Sequence, residues 1–229
     1  MAKKELFAMK SIVIRSILLS FVLVPVFSTG DECLSLVGKS APEFKAKAIV
    51  DGEIKEISLS DYNGKNKILI FYPADFSFVC PTELFAFQEK LKEFEERNTI
   101  LIAISIDQVY AHQRWLESPR DEGGIKGIAY PIASDVTKKI STDYQTLDEN
   151  ESVALRGLII IDKNNIVQAQ SIYNVSVGRD INEVLRVLDA ILFTQEHGQV
   201  CPANWAKGQK AMTATQDGLK KYLNETKEQ

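Results

Sequence analysis

Lys67-Ile-Leu-Ile-Phe-Tyr72-Pro73-Ala-Asp-Phe-Ser77-Phe-Val-Cys80-Pro-Thr-Glu83 is the stretch that organises the chain. Its first six residues are an apolar run of strand length, ended by Pro73, which has no N–H to offer a sheet. Beyond it, Leu84, Phe87, Leu91 and Phe94 recur at spacings of 3, 4 and 3, one face of an amphipathic helix. Proline is favoured at the first helical position, where its missing N–H would be unpaired in any case. Pro81 therefore predicts the helix start and sets Cys80 at or beside the N-cap. Free backbone N–H groups and the helix dipole favour an anion there. The thiolate is the reactive form of cysteine, so the placement points to a nucleophile rather than a packed, inert thiol. Ser77, three residues upstream, can donate a hydrogen bond to that sulfur or to a substrate oxygen.

Outward from this stretch the pattern alternates. Ile100–Ile106 is a second buried-strand candidate, followed by a polar, helix-like piece through Trp115. Leu158–Ile161 and Ile166–Ile172 flank the turn-rich Asp162-Lys-Asn-Asn165, which predicts a hairpin. Ile181, Leu185, Leu188 and Leu192 then restore helical spacing. Strand, helix, strand, hairpin and helix together predict an α/β fold around one central sheet. The tail beyond Cys201 shows no strong periodicity and is expected to wrap the surface or stay mobile.

Composition narrows the function classes. The 229 residues carry 27 Lys+Arg against 31 Asp+Glu, a net charge of −4, with 45% hydrophobic and 25% charged residues. These are values of a folded globular chain, and they argue against disordered, collagen-like and polytopic membrane classes. Mild acidity gives no footprint for nucleic acid. Three cysteines and two histidines, with no C-x-x-C pair, support neither a disulfide scaffold nor a zinc site. No metal or cofactor is expected. At the N-terminus, Lys3, Lys4, Lys10 and Arg15 precede the uncharged Ser16–Gly30. A basic leader before a short apolar core is a secretory-signal pattern, and the run falls short of the roughly 20 apolar residues of a stable membrane span. The competing reading is a short apolar helix at a frayed N-terminus. Residues 1–33 are therefore set aside as a leader, 36–195 taken as the catalytic domain, and 196–229 as a C-terminal arm.

The motifs themselves resemble a known family. Pro73-Ala-Asp-Phe-Ser77-Phe-Val-Cys80 matches P-x-x-x-[T/S]-x-x-C, and Pro81-Thr-Glu83 extends it. His197-Gly-Gln-Val-Cys201-Pro-Ala-Asn-Trp205 and Leu155-Arg156-Gly157-Leu158 add two further matches in the same order. Together they resemble the typical two-cysteine peroxiredoxins of the alkyl hydroperoxide reductase C / thiol-specific antioxidant type, over residues from about 36 to the C-terminus. The resemblance implies a thioredoxin-like fold, with a central mixed sheet flanked by helices and a C-terminal arm. It implies a peroxidase cycle without metal or haem, in which Cys80 attacks peroxide and becomes sulfenic acid. Cys201 of a second subunit is then the resolving cysteine, closing an intersubunit disulfide that a thioredoxin-like protein or a flavoprotein reductase would reduce. By the same resemblance Arg156 stabilises the thiolate and the leaving oxygen, Ser77 orients the peroxide, Pro73 shields the thiolate and Glu83 holds the arginine. A homodimer, and a decameric ring built from it, are implied, with the cytoplasm as the family's default compartment and export or membrane association through residues 1–30 as the alternative.

Some residues depart from the family pattern. Ser77 stands for the commoner threonine, Gly123-Gly-Ile-Lys126 only partly matches Gly-Gly-Leu-Gly, and Tyr222-Leu223 stands for Tyr-Phe. These departures predict an enzyme that resists overoxidation. A peroxide sensor or relay and a holdase chaperone are the alternative functions. His112 and His197 suggest a Cys–His protease pair, but nothing around either marks a catalytic base. Cys33 is expected to be a bystander.

Overall fold

The computed structural model describes residues 35–226; the leader and Cys33 lie outside them. In chain order, β1 (Lys45–Val50) and β2 (Glu53–Ser58) form a hairpin, and β3 (Asn66–Phe71) leads into α1 (Cys80–Glu89) and α2 (Leu91–Glu95). Next come β4 (Thr99–Ser105), α3 (Val109–Glu117), β5 (Ile132–Ser134), α4 (Lys139–Asp143) and the two-residue strands β6 (Leu147–Asp148) and β7 (Val153–Ala154). β8 (Arg156–Ile161), β9 (Val167–Tyr173), α5 (Ile181–His197) and α6 (Gln216–Glu225) complete the order.

Seven strands form one mixed sheet in the order β2-β1-β5-β4-β3-β8-β9. β3 runs parallel to β4 and antiparallel to β8, and all six of its residues are buried. That explains why its sequence is a continuous apolar run: both faces of a central strand are covered. Ile68 and Ile70 pack on one face with Leu84, Phe87, Leu158, Leu185 and Leu188, while Leu69 and Phe71 pack on the other with Ile102, Ile159 and Tyr144. The hairpin of β8 and β9 is the expected one. Asp162 closes its turn by accepting N–H bonds from Asn164 (2.8 Å) and Ile166 (3.0 Å), and Asn165 takes the left-handed conformation at φ 61°.

Three local expectations are corrected. The helix through Leu84–Phe94 is broken at Lys90 (φ −101°, ψ 4°) into α1 and α2, although Leu84, Phe87 and Phe94 still bury on one side. Cys80, not Pro81, is the first helical residue, with Val79 at the N-cap and Pro81 one position further in. The C-terminal tail is not wholly irregular. It pairs Val200 with Met212 and ends in α6, whose first turn is capped by the Thr215 hydroxyl accepting from the Gly218 N–H at 3.0 Å.

Candidate active site

The register of the sheet brings the site together. Ile70 of β3 pairs with Leu158 of β8, so Arg156 lies at the sheet end where the chain leaves β3 for Cys80. Cys80 is fully buried at the start of α1. The Arg156 Nη1 lies 3.4 Å from its Sγ and 2.6 Å from Glu83 Oε2, and the Arg156 Nε donates to the Val175 carbonyl at 2.8 Å. Glu83 is on the first turn of the same helix as Cys80, which fixes the carboxylate relative to the sulfur.

A second arginine, absent from the sequence reading, completes this cluster. Arg179 donates from its backbone N–H (2.8 Å) and Nε (2.7 Å) to Glu83 Oε1, and from Nη2 to Oε2 (2.9 Å). Its Nη1 donates to the carbonyls of Phe71 (3.0 Å) and Gly157 (2.7 Å), so the side chain bridges β3, β8 and α1. Gly157 has no room for a side chain there, since a Cβ would stand 2.3 Å from Thr146 Cγ2. Both guanidiniums and the carboxylate are buried. One carboxylate thus faces two cations in a desolvated site, leaving one positive charge beside Sγ.

The remaining expected residues occupy the loop between β3 and α1. Pro73 follows β3 and is half-buried. The Ser77 hydroxyl donates to the Ala74 carbonyl at 2.8 Å, not to the Cys80 sulfur, one of the two acceptors expected for it beside a substrate oxygen. The loop is tied down by Asp75, whose Oδ1 accepts from the Tyr72 hydroxyl at 2.8 Å and whose N–H donates to Asp107 at 3.0 Å. Asp75 also holds buried His112 at 2.8 Å, and His197 stacks on Phe193, so neither histidine serves Cys80 as a base. Phe76 adopts φ 52° and lays its ring against Trp115 at 5.8 Å.

Cys201 sits elsewhere. It is half-buried against α5, with its Sγ 3.8 Å from the Ala190 carbonyl, and both it and Cys80 are free thiols. Burial pushes the Cys201 thiol up, and the charge of Arg186 pulls partly against that rise. Among the described residues, no group of three or more His, Cys, Asp and Glu side chains is arranged to hold a metal ion.

The AhpC/TSA family model matches residues 37–170, which contain Cys80, Glu83 and Arg156. The chain belongs to this family. It is a peroxidase of the peroxiredoxin type. A second model, the C-terminal domain of 1-Cys peroxiredoxin, matches residues 190–225, which include Cys201. A thioredoxin peroxidase of Echinococcus granulosus is 48% identical over 190 residues, spanning 83% of this chain and 98% of its own. Peroxiredoxin-2 of Bos taurus is 44% identical over 84% of this chain and 96% of its own. Among solved structures, the reduced 2-Cys peroxiredoxin of Plasmodium vivax superposes with a TM-score of 0.82 at 43% identity, covering 83% of this chain and all of that one. The mixed sheet flanked by helices is accordingly the thioredoxin-like fold of these peroxiredoxins.

Arg179 escaped the sequence reading because its partner Glu83 lies 96 positions away. No local signal marks it: Arg156 takes Oε2 of Glu83 alone, and Arg179 reaches both carboxylate oxygens only once the segment before α5 packs against β3 and β8.

Proposed function

We propose that the peroxidase works through a Cys80 thiolate that is regenerated by Cys201 of a second subunit. The observation that carries this reading is the buried Glu83–Arg156–Arg179 cluster ending 3.4 Å from the Cys80 sulfur. The thiolate attacks the terminal oxygen of a hydroperoxide. The S–O bond forms as the O–O bond breaks, and the departing alkoxide or hydroxide takes up a proton to leave as alcohol or water. Sulfur is oxidised to sulfenic acid and the peroxide reduced. Arg156, permanently charged, faces the sulfur where negative charge moves from thiolate to leaving oxygen. Ser77 has committed its proton to Ala74, so its oxygen is left to accept from the peroxide hydroxyl and orient it. Pro73 shields the thiolate, and Glu83 aims both arginines.

Resolution follows when the Cys201 sulfur displaces hydroxide from the sulfenic acid, giving a disulfide and water. Cys80 at the start of α1 and Cys201 beyond α5 are both free thiols, available to pair, and the pairing between subunits is what the family resemblance implies. The sheet edges support a homodimer. The outer strand β2 exposes Ile54 among the charges Glu53, Lys55 and Glu56, which blunt pairing, whereas the opposite edge at β9 exposes Ile172 and is followed by exposed Val175 and Val177. A ring of dimers is the family-level extension of that contact. The disulfide is returned to thiols by a dithiol protein of the thioredoxin class or by a flavoprotein reductase; relatives carry names such as thioredoxin-dependent peroxide reductase. Relatives also carry mitochondrial and chloroplastic names, and among the described residues no helix is long and apolar enough to cross a membrane. The test is a dimedone trap in Cys201→Ser after one equivalent of peroxide. A single adduct on Cys80 is expected, and an unlabelled Cys80 would overturn the reading.

A further inference from the structure

A side chain of α5 is hydrogen-bonded to the backbone of the arm that carries Cys201. Arg186 Nη1 donates to the Trp205 carbonyl at 2.8 Å, while its Nε and Nη2 grip Glu183 at 2.6 and 2.7 Å. Trp205 is fully buried, with its ring 5.0 Å from Phe193 and its Nε1–H donating to the Gln209 carbonyl at 3.1 Å. Arg186 and Ala190 are one helical turn apart, and Cys201 rests on the Ala190 carbonyl. The segment 201–205 therefore lies along the α5 face defined by residues 186, 190 and 193, with the cysteine and the guanidinium on the same face.

We propose that Arg186 is a positioning residue for the resolving step, holding Cys201 on α5 and keeping a positive charge beside its sulfur. This rests on the reading of Cys201 as the resolving cysteine. The charge of Arg186 opposes the burial-driven rise of the Cys201 thiol; Glu183 of α5 is paired to Arg186, and His197 of α5 is stacked on Phe193. The step itself needs a thiolate: the Cys201 sulfur forms the S–S bond, the S–O bond of the Cys80 sulfenic acid breaks, and hydroxide leaves to be protonated. Cys201 sulfur is oxidised and Cys80 sulfur reduced. Burial raises the Cys201 thiol, so at neutral pH the thiolate is scarce, and a fixed cation is the available means of enriching it. Fastening the arm through a backbone carbonyl keeps that cation in register with the sulfur.

The experiment is rapid-mixing measurement of disulfide formation, from neutral pH to about 10, in the intact protein and in Arg186→Lys and Arg186→Gln. Lysine keeps the charge, while glutamine keeps a hydrogen-bond donor for Trp205 and removes the charge. The expected result is that Arg186→Gln slows resolution about tenfold near neutrality, with its pH profile displaced upward by about one unit, while Arg186→Lys keeps the parental profile. Cys80 sulfinic acid should also accumulate at lower peroxide in Arg186→Gln, because the sulfenic acid persists longer. A uniform slowing of both variants with the profile unmoved would make Arg186 a structural clamp and overturn the proposal. So would an Arg186→Gln enzyme indistinguishable from the parent. Peptide mapping of the parental disulfide separates the two readings: a bond without Cys201 overturns the underlying assignment, whereas a Cys80–Cys201 bond with an unmoved profile overturns Arg186 alone.

Discussion

Cys80 and Cys201 occupy opposite surroundings. Cys80 is fully buried, held at the start of a helix, and faced by a guanidinium that belongs to a three-residue ionic cluster. Cys201 is half-exposed on an irregular arm, leans on a backbone carbonyl, and has its thiol raised by burial with one cation opposing the rise. The difference teaches how one chemical group is fitted to two tasks. On the proposed cycle, the thiol that reacts first is fixed by charges from three segments of the chain, and the thiol that resolves it rides on an arm held to α5 through Arg186 and Trp205.

Removing each sulfur breaks the comparison most severely. Cys80→Ser should abolish peroxide consumption altogether. Cys201→Ser should keep a single stoichiometric turnover but lose steady-state turnover with a dithiol protein as reductant, as a rapid-quench assay against a coupled assay would reveal. Next in size, Arg156→Gln should slow the first step about 10²–10³-fold, the range for one charge-stabilising donor, while leaving alkylation of Cys201 by iodoacetamide unchanged. Glu83→Gln should cost about 3–5 kcal/mol of stability in urea unfolding, because it strands two buried guanidiniums. The smallest effect belongs to an ion pair that bonds neither sulfur. Arg97 pairs with Asp189 through two contacts of 2.8 and 2.9 Å on the partly exposed side of α5. Arg97→Ala should lower stability by about 1–3 kcal/mol, the cost of leaving a mostly buried carboxylate unpaired, and leave peroxide turnover at the parental rate.

The Cys80 half of this contrast was legible in the sequence because its signals are local. An apolar run, a proline stop, a serine, a cysteine and a second proline lie within 15 consecutive residues, and the sheet and helix they imply are those found. Arg179 was hidden because it meets Glu83 only through the packing of α5 against the sheet, and nothing between residues 83 and 179 encodes that approach. The β1–β2 hairpin turns at Asp51-Gly52, both at positive φ, a signal that sequence alone offered and that the central strand overshadowed. α6 was obscured by Gly218 within its first turn and by a polar sequence whose Leu219 and Leu223 stay partly exposed. The break at Lys90 was equally silent, because the apolar spacing runs through it unchanged.

One covalent bond, between Cys80 and Cys201 of different subunits, is central to the proposed cycle. Non-reducing electrophoresis after one equivalent of peroxide tests it most directly, in the parent, Cys80→Ser and Cys201→Ser. A disulfide-linked dimer in the parent that disappears in both variants is the predicted result. A linked dimer that survives in either variant would contradict the pairing and assign the bond to another cysteine.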